Sequence, residues 1–351
     1  MKKKTVMEKE AFETPKVIRK ALKENQNILG SLAKRLQNHP PPFVMTDARG
    51  SSDHASTFAK YLFESRLGWV TSSAAPSVVT MYGANLNVDN ALVLGISQSG
   101  QSPDVCEILE TSRRKGAITV AMVNEVNSPL AALADYVIPL WAGQEKAVAA
   151  TKSYISSLFS ILHFSAIYLQ DYHLLSQLEE LPDVLEETLT MDWSNAVEVL
   201  KEYDDALVVA RGFGYPIAQE AALKFKETCS IHAEAFSGAE ILHGPLALVN
   251  RDYPVLMFIQ EDLTYRGMLE LAQKVISLGG KPLLAYPRSL ESEVNITSVE
   301  SVLLPLPPSL DSLCDPIMTI QAFYPMIAHL STARGNSPDN PKNLKKVTKT
   351  R

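Results

Sequence analysis

Lys224 and Glu227 lie three residues apart in the segment ALKFKE, with Glu220 one turn earlier. On a helix that spacing puts an ammonium and carboxylates on one face. A carboxylate in such company can move a proton beside a carbonyl; a plain surface ion pair is the simpler alternative. Downstream, HAEAFSGAEILHGPLAL at 232–248 reads as an unusual loop, with His232, Glu234, Glu240 and His243 among small residues. A carboxylate and an imidazole are the groups that proton transfer next to a carbonyl requires. Two serine-rich turns supply different chemistry: Ser51-Ser52, and Ser97-Gln98-Ser99-Gly100-Gln101-Ser102. Each falls where a strand gives way to a helix, and free N–H groups at a helix start favour phosphate or another anion. Gly100 permits close backbone approach. Each turn alone could be no more than a serine helix cap. Neither ARGSSDHAS nor ARGFGYPIA contains the G-x-G-x-x-G of a dinucleotide site.

The elements that must position these groups come in duplicate. FVMTDARGSSDHASTFAKYL at 43–62 returns about 162 positions later as ALVVARGFGYPIAQEAALKF at 206–225. Each copy reads as a β-branched strand, an Ala-Arg-Gly corner and a helix. Strand-like runs are expected at 43–47, 91–96, 118–123 and 136–140, and again near 206–210, 254–259, 282–286 and 301–305. Their alternation with helices predicts an α/β fold: two tandem domains, each a doubly wound, flavodoxin-like parallel sheet flanked by helices. The expected division is a helical arm over 1–40, a first domain with connecting helices over 41–190, a second over 191–335 and a tail over 336–351. In the second copy the serine loop has become IQED and has lost its anion-binding groups.

Composition narrows the function classes. The chain has 351 residues, 46% hydrophobic, 21% charged and with a net charge of −6, as expected of a globular protein without a nucleic-acid footprint. The apolar tract YISSLFSILHFSAIYL at 154–169 is shorter than a membrane span and carries Ser156, Ser157, Ser160 and His163, so a buried helix or subunit interface is expected. Nothing near the amino terminus resembles a signal peptide, and Cys106, Cys229 and Cys314 lack metal-type spacing. A cytoplasmic location, reduced thiols, no metal and no redox cofactor are expected. The terminal NPKNLKKVTKTR is either a solvated basic end or a flexible lysine arm that folds over an anionic ligand.

GSSDHA at 50–55, SQSGQSPD at 97–104, EKAVAATKSY at 145–154, ALKFKE at 222–227, IHAEAFSGAEILHGP at 231–245 and NLKKVT at 343–348 together resemble the SIS (sugar isomerase) family. The resemblance spans nearly the whole chain, which is similar to the isomerase half of glucosamine-6-phosphate synthase and more closely resembles the free-standing SIS-type glucosamine-6-phosphate deaminases. It implies phosphate binding by Ser51, Ser52, Ser97, Gln98, Ser99 and Ser102, and a backbone contact from Val148 to the sugar. It implies that Glu227 moves a proton between sugar carbons 1 and 2, with Lys224 beside it, and that His243, donated by a neighbouring subunit, opens the ring. Lys346, or Lys345 one position earlier, would close over the substrate. A homodimer with a shared active site follows.

About 40 residues precede the first corner, too few for the synthase's glutaminase domain, so breakdown is the expected direction. The resemblance thus implies conversion of glucosamine 6-phosphate and water to fructose 6-phosphate and ammonia. Deamination of another amino-sugar phosphate such as galactosamine 6-phosphate, deglycation of fructosamine phosphates, and a noncatalytic phosphosugar sensor are the other readings.

Overall fold

Eight of the apolar runs form strands near the expected positions, and the central ones are buried along their whole length, as a parallel sheet covered on both faces requires. The computed structural model describes residues 4–297 and 300–346; Lys2, Lys3 and tail residues 347–351 lie outside them. The first sheet contains β1 (Val44–Asp47), β2 (Thr71–Ser73), β3 (Leu92–Ser97), β4 (Ile118–Val123) and β5 (Tyr136–Pro139), in the order β2-β1-β3-β4-β5. The second contains β6 (Asp205–Ala210), β7 (His232–Ser237), β8 (Pro254–Phe258), β9 (Lys281–Pro287) and β10 (Val302–Leu306), in the order β10-β9-β8-β6-β7. Read from the β7 end, the second sheet repeats the order of the first, and all pairings are parallel. This is the flavodoxin-like doubly wound order, which reverses beside the first strand and opens a crevice there.

β2 and β7 are the strands that composition conceals. β2 is three residues long and only Thr71 is buried, so it carries almost no apolar signal. β7 occupies HAEAFS, where a loop was expected. Its charged side chains alternate with small ones because it is an edge strand, paired on one side to β6.

The chain divides into two compact units that interleave in sequence. One holds the described parts of Met1–Pro15, Lys146–Thr151 and Glu180–Leu344, and the other those of Lys16–Glu145, Lys152–Glu179 and Lys345–Arg351. Within the latter, Val93, Ala121, Ile108 and Leu109 build part of the core; within the former, Leu207, Val255, Met257 and Leu284 do the same. The long apolar tract forms the helix Lys152–Leu169, buried on every face as far as Ala166. Among the described residues no helix is long and apolar enough to cross a membrane.

The duplication extends to a detail invisible in the sequence. The helix Ser51–Leu62 runs into a wide turn of π type at Phe63–Leu67, and the helix Tyr215–Lys224 runs into another at Phe225–Cys229. Both end on a left-handed residue, Gly68 at φ 72° and Ser230 at φ 55°. Corners, wide turns and left-handed ends all repeat at the same separation of 162 residues.

Candidate functional site

The two serine turns lie in one unit, at the carboxyl ends of β1 and β3 beside the crevice. Gly50, at φ 58°, turns the chain so that Ser51 and Ser52 become the first two residues of the helix Ser51–Leu62. Neither is its N-cap, so the capping alternative does not apply to this turn. In the second turn Ser97 is buried and its Oγ accepts the Gly100 N–H at 2.9 Å, while Ser99 Oγ accepts the Gln101 N–H at 3.3 Å. These two hydroxyls shape the loop. Gln98 is half-buried in the same bend. Ser102 occupies the N-cap of the helix Pro103–Arg114, yet its side chain makes no capping bond.

Gly100 is fixed by its surroundings. Its φ is 61°, its carbonyl accepts the Leu130 N–H at 3.1 Å, and a Cβ there would lie 2.1 Å from Ser128 Oγ. Gly100→Ala is therefore expected to destabilise the protein by about 1–3 kcal/mol, through overpacking and left-handed strain. On the expectation that this turn holds phosphate, the substitution should also weaken that binding. Urea unfolding and a binding titration with fructose 6-phosphate check the two effects.

Sequence reasoning passed over Arg49, the middle residue of the first corner. Its Nε and Nη2 both donate to Asp104 Oδ2, at 3.0 and 2.7 Å, while Asp104 Oδ1 accepts the Val105 N–H at 3.0 Å. The ion pair joins the first serine turn to the start of the helix that follows the second. Arg49 recurs as Arg211 in the duplicate, but its partner is displayed only in the motif SQSGQSPD.

The same unit holds the tail lysine. Lys346 Nζ lies 3.0 Å from Glu145 Oε2, and the fully buried Glu145 carboxylate also accepts the Ser153 N–H and hydroxyl at 3.2 and 2.8 Å. Lys345 is exposed. The two candidates thus differ: Lys346 is tethered to a buried carboxylate, and Lys345 faces solvent.

Lys224, Glu227, His243 and Val148 belong to the other unit. Lys224 is the last residue of the helix Tyr215–Lys224, and Glu227 sits inside the wide turn that follows. The Lys224 ammonium lies 3.2 Å from Glu220 Oε1 and 2.5 Å from Glu227 Oε2. This is no surface pair, because the Lys224 and Glu220 side chains are wholly buried and that of Glu227 is 22% exposed. Burial opposes the charge on Lys224, but the carboxylates of Glu220 and Glu227 outweigh it and hold its pKa above the ordinary value. Tyr324 Oη donates to Glu220 at 3.2 Å; its ring is tilted against Phe323, which in turn meets Phe225 edge to face. Glu227 opens on a cavity of about 200 Å³, also lined by Ser230, Asn336, Asn340 and Lys342.

The segment after Gly335 is a lining that sequence reasoning had treated only as tail. Its signal was the polar cluster NSPDN. Asn336 donates to the Cys229 carbonyl at 3.1 Å, and the Asp339 carboxylate accepts the N–H groups of Val6 and Met7 at 2.9 and 2.8 Å. The Val148 N–H is committed to the Asp339 carbonyl at 3.1 Å, so a backbone contact from Val148 to a ligand falls to its carbonyl. His243 ends a short 3-10 turn, Glu240–His243, and is exposed. Among the described residues the structure does not join it by a hydrogen bond or ion pair to Lys224 or Glu227. Its neighbours Leu242 and Leu248 are 50% and 49% exposed.

Two parallel five-stranded sheets of one strand order, with anion-type turns at the crevice of one and a buried lysine–glutamate centre in the other, define a tandem α/β protein of the SIS class. The SIS domain model matches residues 44–166 and 200–285, and the chain belongs to that family. It is 32% identical over 352 residues to the glutamine–fructose-6-phosphate aminotransferase (isomerizing) of Thermococcus kodakarensis, covering 97% of this chain and 57% of that protein. The chain thus spans little more than half the length of the curated relatives it matches. A candidate phosphosugar isomerase from Silicibacter pomeroyi DSS-3 superposes with a TM-score of 0.88 at 34% identity, over 96% of this chain and all of that one. The C-terminal domain of the Francisella tularensis glucosamine-fructose-6-phosphate aminotransferase follows at 0.87 and 26%, over 97% and 99%.

Proposed function

We propose that the chain is an SIS-type phosphosugar isomerase whose reaction releases ammonia from an amino-sugar phosphate, glucosamine 6-phosphate being the substrate. The observation that carries this is the Lys224–Glu227 pair at the rim of the cavity: a buried ammonium holds one oxygen of a partly exposed carboxylate in place. Ser51, Ser52, Ser97, Gln98, Ser99 and Ser102 take the phosphate through backbone N–H groups and hydroxyls. His243, supplied by the second subunit of a homodimer, assists opening of the ring to the aldehyde. Glu227 removes the carbon-2 proton and returns it to carbon 1, giving the ketose imine. Water adds to the imine carbon, the nitrogen leaves as ammonia, and fructose 6-phosphate remains. Lys346 closes over the sugar and the Val148 carbonyl contacts it.

The purified protein given glucosamine 6-phosphate is expected to produce ammonia and fructose 6-phosphate in equal amounts. Absence of both sinks the assignment. A panel adding galactosamine 6-phosphate and fructosamine phosphates separates the deaminase from its neighbours in reaction class. Tight binding of every phosphosugar without turnover of any would identify a sensor.

A further inference from the structure

Beneath the serine turns lies a group that the proposed reaction does not use. Asp47 is the last residue of β1, in register with Gly95 of β3, two residues before Ser97. It is wholly buried, and among the described residues neither carboxyl oxygen has a hydrogen-bond partner. Its charged surroundings are Arg49 at the corner, Asp53 in the first turn of the helix Ser51–Leu62 with His54 next to it, and Asp104 and Cys106 on the helix Pro103–Arg114. Only Arg49 among them favours a carboxylate at Asp47, and its guanidinium is already engaged by Asp104.

We propose that Asp47, with the Arg49–Asp104 pair, sets the charge the serine turns accept: as a neutral acid it admits a phosphate dianion, and as a carboxylate it repels one. The inference rests on the reading of those turns as a phosphate site. The Arg49–Asp104 pair is electrically balanced and spans the two turns, so it fixes their spacing without net charge. Asp47 then decides the sign of the floor. Protonated, it leaves the anion facing N–H and O–H donors; ionised, it places an unpaired negative charge below them. Burial, reinforced by the Asp104 charge, pushes the Asp47 carboxyl well above the usual carboxylate range, which favours the neutral form. By linkage, phosphate binding and proton binding at Asp47 support each other.

The test measures the affinity for fructose 6-phosphate from pH 5.5 to 9.5 in the wild type and in Asp47→Asn. The ester's own ionisation is common to both proteins and cancels in the ratio of affinities. That ratio is expected to rise in favour of the variant by at least about tenfold across the range, because one linked proton changes affinity by up to about tenfold per pH unit. A constant ratio overturns the proposal while leaving the phosphate reading intact. Failure of both proteins to bind fructose 6-phosphate and glucosamine 6-phosphate at every pH overturns the phosphate reading and the proposal with it. Should the variant not fold, titration of the wild type above pH 7.5 in two buffers of different ionisation enthalpy reads the linked proton directly. Net uptake supports the role of Asp47, and none at any pH overturns it.

Discussion

Glu227→Gln is expected to lower turnover of glucosamine 6-phosphate by about 10⁴-fold, the upper end of what a positioned acid–base group contributes. An amide of the same shape can still accept from the Lys224 ammonium, now 2.5 Å from Glu227 Oε2, but it cannot hold a proton between two carbons. Because the proposed phosphate site uses other residues, KM should change little, so the loss should fall almost wholly on kcat. Glu227→Asp tests position rather than chemistry. It retracts the carboxylate by about one bond, and a misplacement of about 1 Å costs roughly 10²-fold. Steady-state assays of ammonia release check both; wild-type turnover in Glu227→Gln means that another group is the base.

Lys224→Met carries the largest expected effect on stability. The wild-type lysine neutralises a Glu220 carboxylate that is fully buried and otherwise held by Tyr324 Oη. Removing one partner of a buried pair leaves an uncompensated charge and costs about 3–5 kcal/mol. The deficit should depend on pH in a definite direction. Without Lys224, Glu220 becomes a buried acid whose folded-state pKa lies above its unfolded value. Stability is then lost as pH rises through the interval between the two, and lowering the pH toward 5 should recover part of it. Urea unfolding at pH 5 and pH 8 checks this. An equal deficit at both would show that Glu220 is not the group left exposed to the loss. Turnover should fall as well, because Glu227 loses the ammonium that orients it.

The fold was legible because its signals are large. Apolar runs buried in parallel strands, such as LVLGIS in β3, and the doubled Ala-Arg-Gly corner mark the sheets and their number. What escaped notice was short or polar: β2 has one buried residue, and β7 hides behind His232 and Glu234 on a sheet edge. In the site, residue types announced the serines and the pair Lys224–Glu227. Burial could not be read from them. ALKFKE looks like a solvent-facing helix end, and only the tertiary fold makes its first lysine a core residue, wholly buried beside Glu220. Asp47 and Arg49 were passed over for a related reason: a carboxyl without a hydrogen-bond partner among the described residues and a guanidinium bound to one 55 residues away are facts of tertiary structure.

The wide turn bearing Glu227 has a counterpart at Phe63–Leu67, and Ser65 stands there where Glu227 stands in the other copy. The turn recurs at the spacing of the duplication, so the backbone bend is common to both halves whatever side chain it carries. The same bend presents a hydroxyl in one half and, in the other, the carboxylate proposed here as the base. Gly68 occupies the left-handed end of the turn in one copy without strain. Ser230 occupies it in the other at a cost of about 1 kcal/mol and lines the cavity that Glu227 faces, so the strained end of the turn lies at the candidate site.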